Sequence, residues 1–205
     1  MTRAITASAA FIFAALPQLV RAQSRWPTEP AALQTPDTNV PLCRARTPRI
    51  TTDSIGPFNL HQTLQDIERA CARLEYGWGW SLGDKPFLRA RLGGIVVQID
   101  LLDTLPSSSV YQIGTRSPGA RTRDGFGPGS ALADLVRTWG KPTFSNGEGR
   151  IFAAFASHPL LSFSVDVLRR YSDDSAEDQL MGDIEHGRLP NDVTVSLTYL
   201  GPLPR

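Results

Sequence analysis

Three histidines, His61, His158 and His186, are the only carriers in this chain of the side chain most suited to proton transfer near neutral pH. Their spacing fits no catalytic or zinc motif: no H-E-x-x-H occurs, and no G-x-S-x-G presents a serine. His61 precedes a helical segment, His158 sits beside Pro159 in a hairpin turn, and His186 falls in an acidic run, so each reads as a surface or turn residue. A Ser–His–Asp site would have to be assembled by the fold. The acidic run, Tyr171 to Arg188, gathers Asp173, Asp174, Glu177, Asp178, Asp183 and Glu185, oxygen ligands of the kind calcium takes. EF-hand spacing is absent, so a solvated connection is expected. A third candidate is "GFGPGSAL", Gly125 to Leu132, with Arg121 and Arg123 upstream. Glycines before a helix start can present N–H groups to an anion. No lysine follows them, so a tight turn and helix cap is expected. No cofactor and no metal is expected from these motifs.

The elements that hold these residues show as an internal repeat. "FNLHQTLQDIERAC" (58–71) and "FGPGSALADLVRTW" (126–139) resemble each other at an offset of 68. Leu64 matches Leu132, Asp66 matches Asp134, Ile67 matches Leu135 and Arg69 matches Arg137. Each carries one apolar stripe at helical spacing. Thr63 and Ser130 are the expected N-caps, with Asp66 completing a capping box on Thr63; Gly140 and Pro142 stop the second helix. Strands follow each helix. Residues 87–102 predict a hairpin turning at Gly93-Gly94, which pairs Leu92 with Ile95, Ala90 with Val97 and Leu88 with Ile99 on one face. Arg91 with Val96, Arg89 with Gln98 and Phe87 with Asp100 form the other, wetter face. Residues 110–116 predict a further strand. Residues 150–157 and 160–168 predict a second hairpin, and residues 169–192 a long polar connection. A last strand places Val193, Val195, Leu197 and Tyr199 on one side. The expected fold is α+β: two tandem helix-plus-antiparallel-meander units, residues 49–123 and 124–205, with helices on one face of the sheet.

Residues 1–22 read as a secretory signal peptide: Arg3, an apolar stretch over 4–20 and a small-residue cleavage site at Val20–Ala22. The stretch is short for a span and contains Pro17. Cleavage there removes Arg3 and Arg21 and no acid, leaving 19 basic and 20 acidic residues, a net charge of −1. No nucleic-acid partner is expected at that balance, and no membrane span after cleavage. A periplasmic or secreted protein with two cysteines, Cys43 and Cys71, is expected to join them in a disulfide. Residues 23–48 read as a flexible linker.

Two motifs carry a resemblance. S-x-G-P-x-x-L-x-x-T-L runs through Ser54, Gly56, Pro57, Leu60, Thr63 and Leu64, and G-x-G-x-G-S-x-L through Gly125, Gly127, Gly129, Ser130 and Leu132. The first looks like a motif of exported bacterial proteins of unknown function. Tandem helix-plus-meander modules over residues 50–200 also resemble the beta-lactamase inhibitory protein family, and one unit resembles the SmpA/OmlA-like module of the outer-membrane assembly machine. His61 stands where such modules usually place glycine, and a lipid-attachment cysteine is missing. The resemblance implies a non-enzymatic binding or scaffold protein of the cell envelope.

The surface expected to meet a protein partner comes from the first unit. "EYGWGWSLGD" alternates Tyr76, Trp78 and Trp80 with Gly77 and Gly79 on a strand. Either the rings meet the helix as core, or they are displayed beside Phe87, Arg89 and Arg91 as a binding surface. Aromatic residues and arginine are the types enriched at interface hot spots. The expected function is therefore an exported protein-binding or scaffold protein, such as an inhibitor. The alternative is a periplasmic small-ligand or metal-binding protein using residues 171–188.

Overall fold

A computed structural model of the chain describes Cys43 and residues 49–71, 74–78, 85–147, 150–166 and 176–202. The expected signal peptide, the linker apart from Cys43, and Trp80 lie outside the described residues. The strands are β1 (Ser54–Ile55), β2 (Phe58–Asn59), β3 (Glu75–Trp78), β4 (Pro86–Leu92), β5 (Ile95–Leu101), β6 (Val110–Thr115), β7 (Thr143–Gly147), β8 (Arg150–Ala154), β9 (Leu161–Asp166) and β10 (Thr194–Leu200). The helices are α1 (Leu64–Ala70), α2 (Leu132–Trp139) and α3 (Ala176–Glu185). Eight strands form one antiparallel sheet in the order β3-β4-β5-β6-β10-β9-β8-β7, and β1 pairs with β2 in a small ribbon. The fold is α+β. Successive strands are neighbours on each side of the sheet, and the last strand of each run, β6 and β10, meet at its centre.

The β4–β5 hairpin has the register its glycines predict. Leu92 faces Ile95, Ala90 faces Val97, Leu88 faces Ile99 and Arg89 faces Gln98. Gly93 and Gly94 both have positive φ, 54° and 90°, the backbone a two-residue turn of this twist requires. Leu88, Val97, Ile99, Phe163 and Val165 share one core with Leu64 and Ile67 of α1, Leu132 and Leu135 of α2, and Leu180 of α3. The helices thus cover one face of the sheet. Phe87, Phe152 and Leu197 are buried but stand outside that core, on the other face.

Each of the first two helices is tied to the strand that ends its run. Leu64 N–H donates to Ser108 O (2.9 Å) and Val110 N–H to Gln62 O (3.0 Å). Leu132 N–H donates to Val193 O (2.8 Å) and Val195 N–H to Ser130 O (2.9 Å). The Leu64 and Leu132 bonds satisfy first-turn amides that a helix leaves without internal partners. α1 adds the expected capping box: Thr63 Oγ1 accepts from Asp66 N–H, and the Asp66 carboxylate accepts from Thr63 N–H. α2 does not use Ser130. Its N-cap is Ala131, without a side-chain bond, and the Ser130 hydroxyl instead accepts from Gly127 N–H (3.1 Å) inside the glycine loop.

Two further expectations change. The polar connection over 169–192 contains α3, whose Leu180 is buried and whose Met181 and Ile184 are half-buried. Gly187 N–H donates to Ile184 O and Arg188 N–H to Asp183 O, a Schellman ending. The acidic residues around this narrow stripe hid its period. In β10, a register shift between Val195 and Leu197 breaks the alternation. Val195 faces the helices, whereas Leu197 and Tyr199 pair with Ser164 and Ser162 on the opposite face.

The disulfide Cys43–Cys71 is formed, with Cα atoms 4.5 Å apart. Cys43 N–H donates to Arg91 O (3.3 Å), so the bridge fastens the incoming chain both to β4 and to the end of α1.

Candidate functional site

The sheet face opposite α1, α2 and α3, helix-free among the described residues, is built in rows across the sheet. Glu75, Arg89, Gln98, Gly114, Tyr199 and Ser162 are linked by register through β3, β4, β5, β6, β10 and β9. A second row holds Gly77, Phe87, Asp100 and Gln112. Two glycines lie beneath two rings. A Cβ on Gly77 would come within 2.4 Å of the Phe87 ring, and one on Gly114 within 2.8 Å of the Tyr199 ring. Each ring can lie over the neighbouring strand because the residue paired with it has no side chain. The fully buried Phe152 lies beside Tyr199, their rings 5.8 Å apart.

Arg89 is the charged centre of this face. Its guanidinium lies 5.0 Å from the Phe87 ring centroid, and Nη2 is 3.5 Å from Gln98 Oε1. Gln98 Nε2 in turn donates to Asp100 Oδ1 (2.9 Å), and Asp100 is buried. Burial pulls the Arg89 guanidinium below its usual pKa; the Glu75 and Asp100 carboxylates act against that shift, and Arg116 adds to it. An arginine stays charged through such a change, so the face holds a partly desolvated cation. At the same end of the strands, Lys85 Nζ lies 3.7 Å from the Tyr111 ring centroid.

The residues expected to form the partner surface divide between the two faces. Phe87, Arg89 and Arg91 share the helix-free face. Tyr76 pairs with Leu88 on the helix side, packs on the core, and donates its hydroxyl to Glu68 of α1 (2.7 Å). Trp78 follows Tyr76 by two residues in β3 and is half-buried. Sequence reasoning missed Tyr199 and Phe152 on the open side. Phe152 was legible from the alternation of Ile151 and Ala153 around it, but Tyr199 was displaced by the β10 bulge.

The other candidates remain apart. In the glycine loop, donors that could meet an anion serve the protein: Phe126 N–H bonds Thr122 Oγ1, Gly129 N–H bonds Val195 O, and Arg121 Nη1 bonds Pro128 O (2.6 Å). His158 Nδ1 lies 2.9 Å from Ser157 Oγ, and its ring packs on Trp139 at 4.1 Å. Asp124 accepts from the Trp139 indole rather than from His158 (2.9 Å). His61 sits in the turn before α1, bonded to Asn59, and His186 ends α3, bonded to Gly182. In the acidic segment, Asp183 faces Arg188 and Glu185 pairs with Lys141, which holds the Glu185 carboxyl below its usual range. Asp173 and Asp174 lie outside the described residues. Among the described residues no group of three or more His, Cys, Asp or Glu is placed to hold a metal ion. Among them, too, no helix is long and apolar enough to cross a membrane.

No protein-family model matches the chain, and no curated protein matches it. Among solved structures, the chain is similar to the crystal structure of the uncharacterized protein YfeY from Escherichia coli, with a TM-score of 0.54 and 17% identity. The similarity covers 75% of this chain and 99% of that one. At that identity it establishes a shared fold.

Proposed function

We propose that this chain is an exported, non-enzymatic protein of the bacterial cell envelope that binds a protein partner through the helix-free face of its sheet. The observation that carries the reading is the composition of that face: the Phe87 ring beside a partly desolvated arginine, with the half-buried Tyr199 ring three strands further across the sheet. Large aromatics and arginine are the residues that supply most binding energy at interfaces. The disulfide fits an oxidising compartment. We further read the sheet as two copies of one helix-plus-meander unit. The equivalent bonds at Gln62 and Leu64, and at Ser130 and Leu132, support this at the sequence offset of 68.

Site-specific photo-crosslinking tests the reading. A benzophenone side chain at Val96, on the helix-free face, should trap a discrete envelope protein in cells, whereas the same group at exposed Thr138 on α2 should not. Equal capture from both positions, or none from Val96, would remove the proposal.

A further inference from the structure

Arg89 differs from the paired cations around the three helices. Arg69, Arg137, Lys141 and Arg188 each face a carboxylate. Arg89 is joined to no carboxylate by an ion pair among the described residues; its polar contact is the neutral Gln98 carbonyl, at the outer limit of hydrogen-bond distance. Gln98 also keeps the nearest buried carboxylate occupied by donating to Asp100. The Phe87 ring lies 5.0 Å from the guanidinium on one side. A guanidinium has five N–H donors in a planar fork that matches a carboxylate in bidentate geometry. The surrounding charge is positive on balance. Lys85, Arg89, Arg91 and Arg116 lie on or at the rim of this half of the face, against Glu75 and Asp100.

We infer that this half of the helix-free face receives an acidic protein surface, with a partner Asp or Glu carboxylate seated on the Arg89 guanidinium above Phe87. The inference rests on the partner-binding reading given above and names the chemistry of the partner. A carboxylate would give the half-buried cation a direct ion pair, where Glu75 and Asp100 act on it only from a distance, and the neighbouring cations would steer an acidic surface toward it.

A labelled octaglutamate peptide tests this on the whole disulfide-bonded chain, with octalysine as the control, by fluorescence anisotropy at low and physiological ionic strength. Octaglutamate should bind, more weakly as salt rises, and octalysine should not. Arg89→Gln should weaken binding about tenfold or more, and Arg89→Lys should fall between it and the parent, because the charge stays and the fork is lost. Arg137→Gln, on α2, should leave binding unchanged. Val96→Glu sets a carboxylate on the same face with Arg89 intact, and should also block the peptide; it serves where Arg89→Gln fails to fold by near-ultraviolet circular dichroism. Absent octaglutamate binding, equal binding by Arg89→Gln and Val96→Glu, or equal loss in Arg137→Gln overturns the inference. Capture through Val96 without Arg89-dependent peptide binding would leave the binding face standing and remove its acidic partner. Arg89-dependent peptide binding without capture would do the reverse.

Discussion

Cys71 and Trp139 occupy the same place in the two helix segments, 68 residues apart, and do the same task by different means. Each ends a short helix that must be held against the sheet. Cys71 is bonded to Cys43 across a sequence separation of 28 residues. Trp139 is held by packing: its ring contacts Phe126, Phe155, Phe163 and His158 at centroid distances of 4.9, 5.4, 5.6 and 4.1 Å. The helix starts differ in the same way. Thr63 caps α1 with a side chain, while Ala131 leaves the start of α2 to backbone bonds from β10 and its approach. A helix of seven or eight residues is too short to be stable alone, so some anchor is obligatory. The comparison teaches that its position is set by the fold, whereas its chemistry is interchangeable.

The largest test of that contrast removes the covalent anchor. Cys43→Ser with Cys71→Ser should cost about 3–4 kcal/mol through the freed loop, read as a lower urea midpoint. Trp139→Ala should cost about 3 kcal/mol by the same measurement, and a reducing agent should add the separate loss of the bridge to it. If Trp139→Ala is nearly neutral, the aromatic cluster is not the equivalent of the bridge. A smaller effect is expected at the helix starts. Thr63→Ala should cost about 1 kcal/mol, and Ala131→Thr, which supplies a cap hydroxyl three residues before Asp134, should recover up to about 1 kcal/mol in a thermal melt. The smallest effect depends on pH. The backbone and side chain of Thr63 hold the Asp66 carboxyl below its usual pKa, with Arg69 assisting. Its contribution is therefore present above the ordinary carboxylate range and lost as pH falls through the lowered folded value. Thr63→Ala should flatten that acid dependence, while Ala131→Ser should leave the Asp66 dependence unchanged.

Much of the helix-free face could be read directly because strand alternation is local. Gly93-Gly94 set the β4–β5 register, and that register alone placed Phe87, Arg89 and Arg91 together. The side taken by Tyr76 and Trp78 was not readable from alternation, since a period of two separates faces without saying which one meets a helix. Tyr76 packs on the core because β3 pairs it with Leu88 and its hydroxyl reaches Glu68. β7, a short polar edge strand, and the bulge in β10 carried no periodic signal. Ser196, at the bulge, is held by Ser164 across the sheet, a contact between residues 32 apart in sequence.

The sequence by itself determined the helix stripes, the Thr63–Asp66 capping box, the glycine hairpin and the pairing partner of each residue within it. These depend on neighbours a few positions away and on backbone preferences. The tertiary structure alone decided that β6 and β10 meet at the centre of one sheet, that the Tyr76 ring turns inward, and that Tyr199 joins Phe87 and Arg89 on the open face. Those outcomes depend on which strands find each other across long separations and on a one-residue slip, which reverses every side chain beyond it.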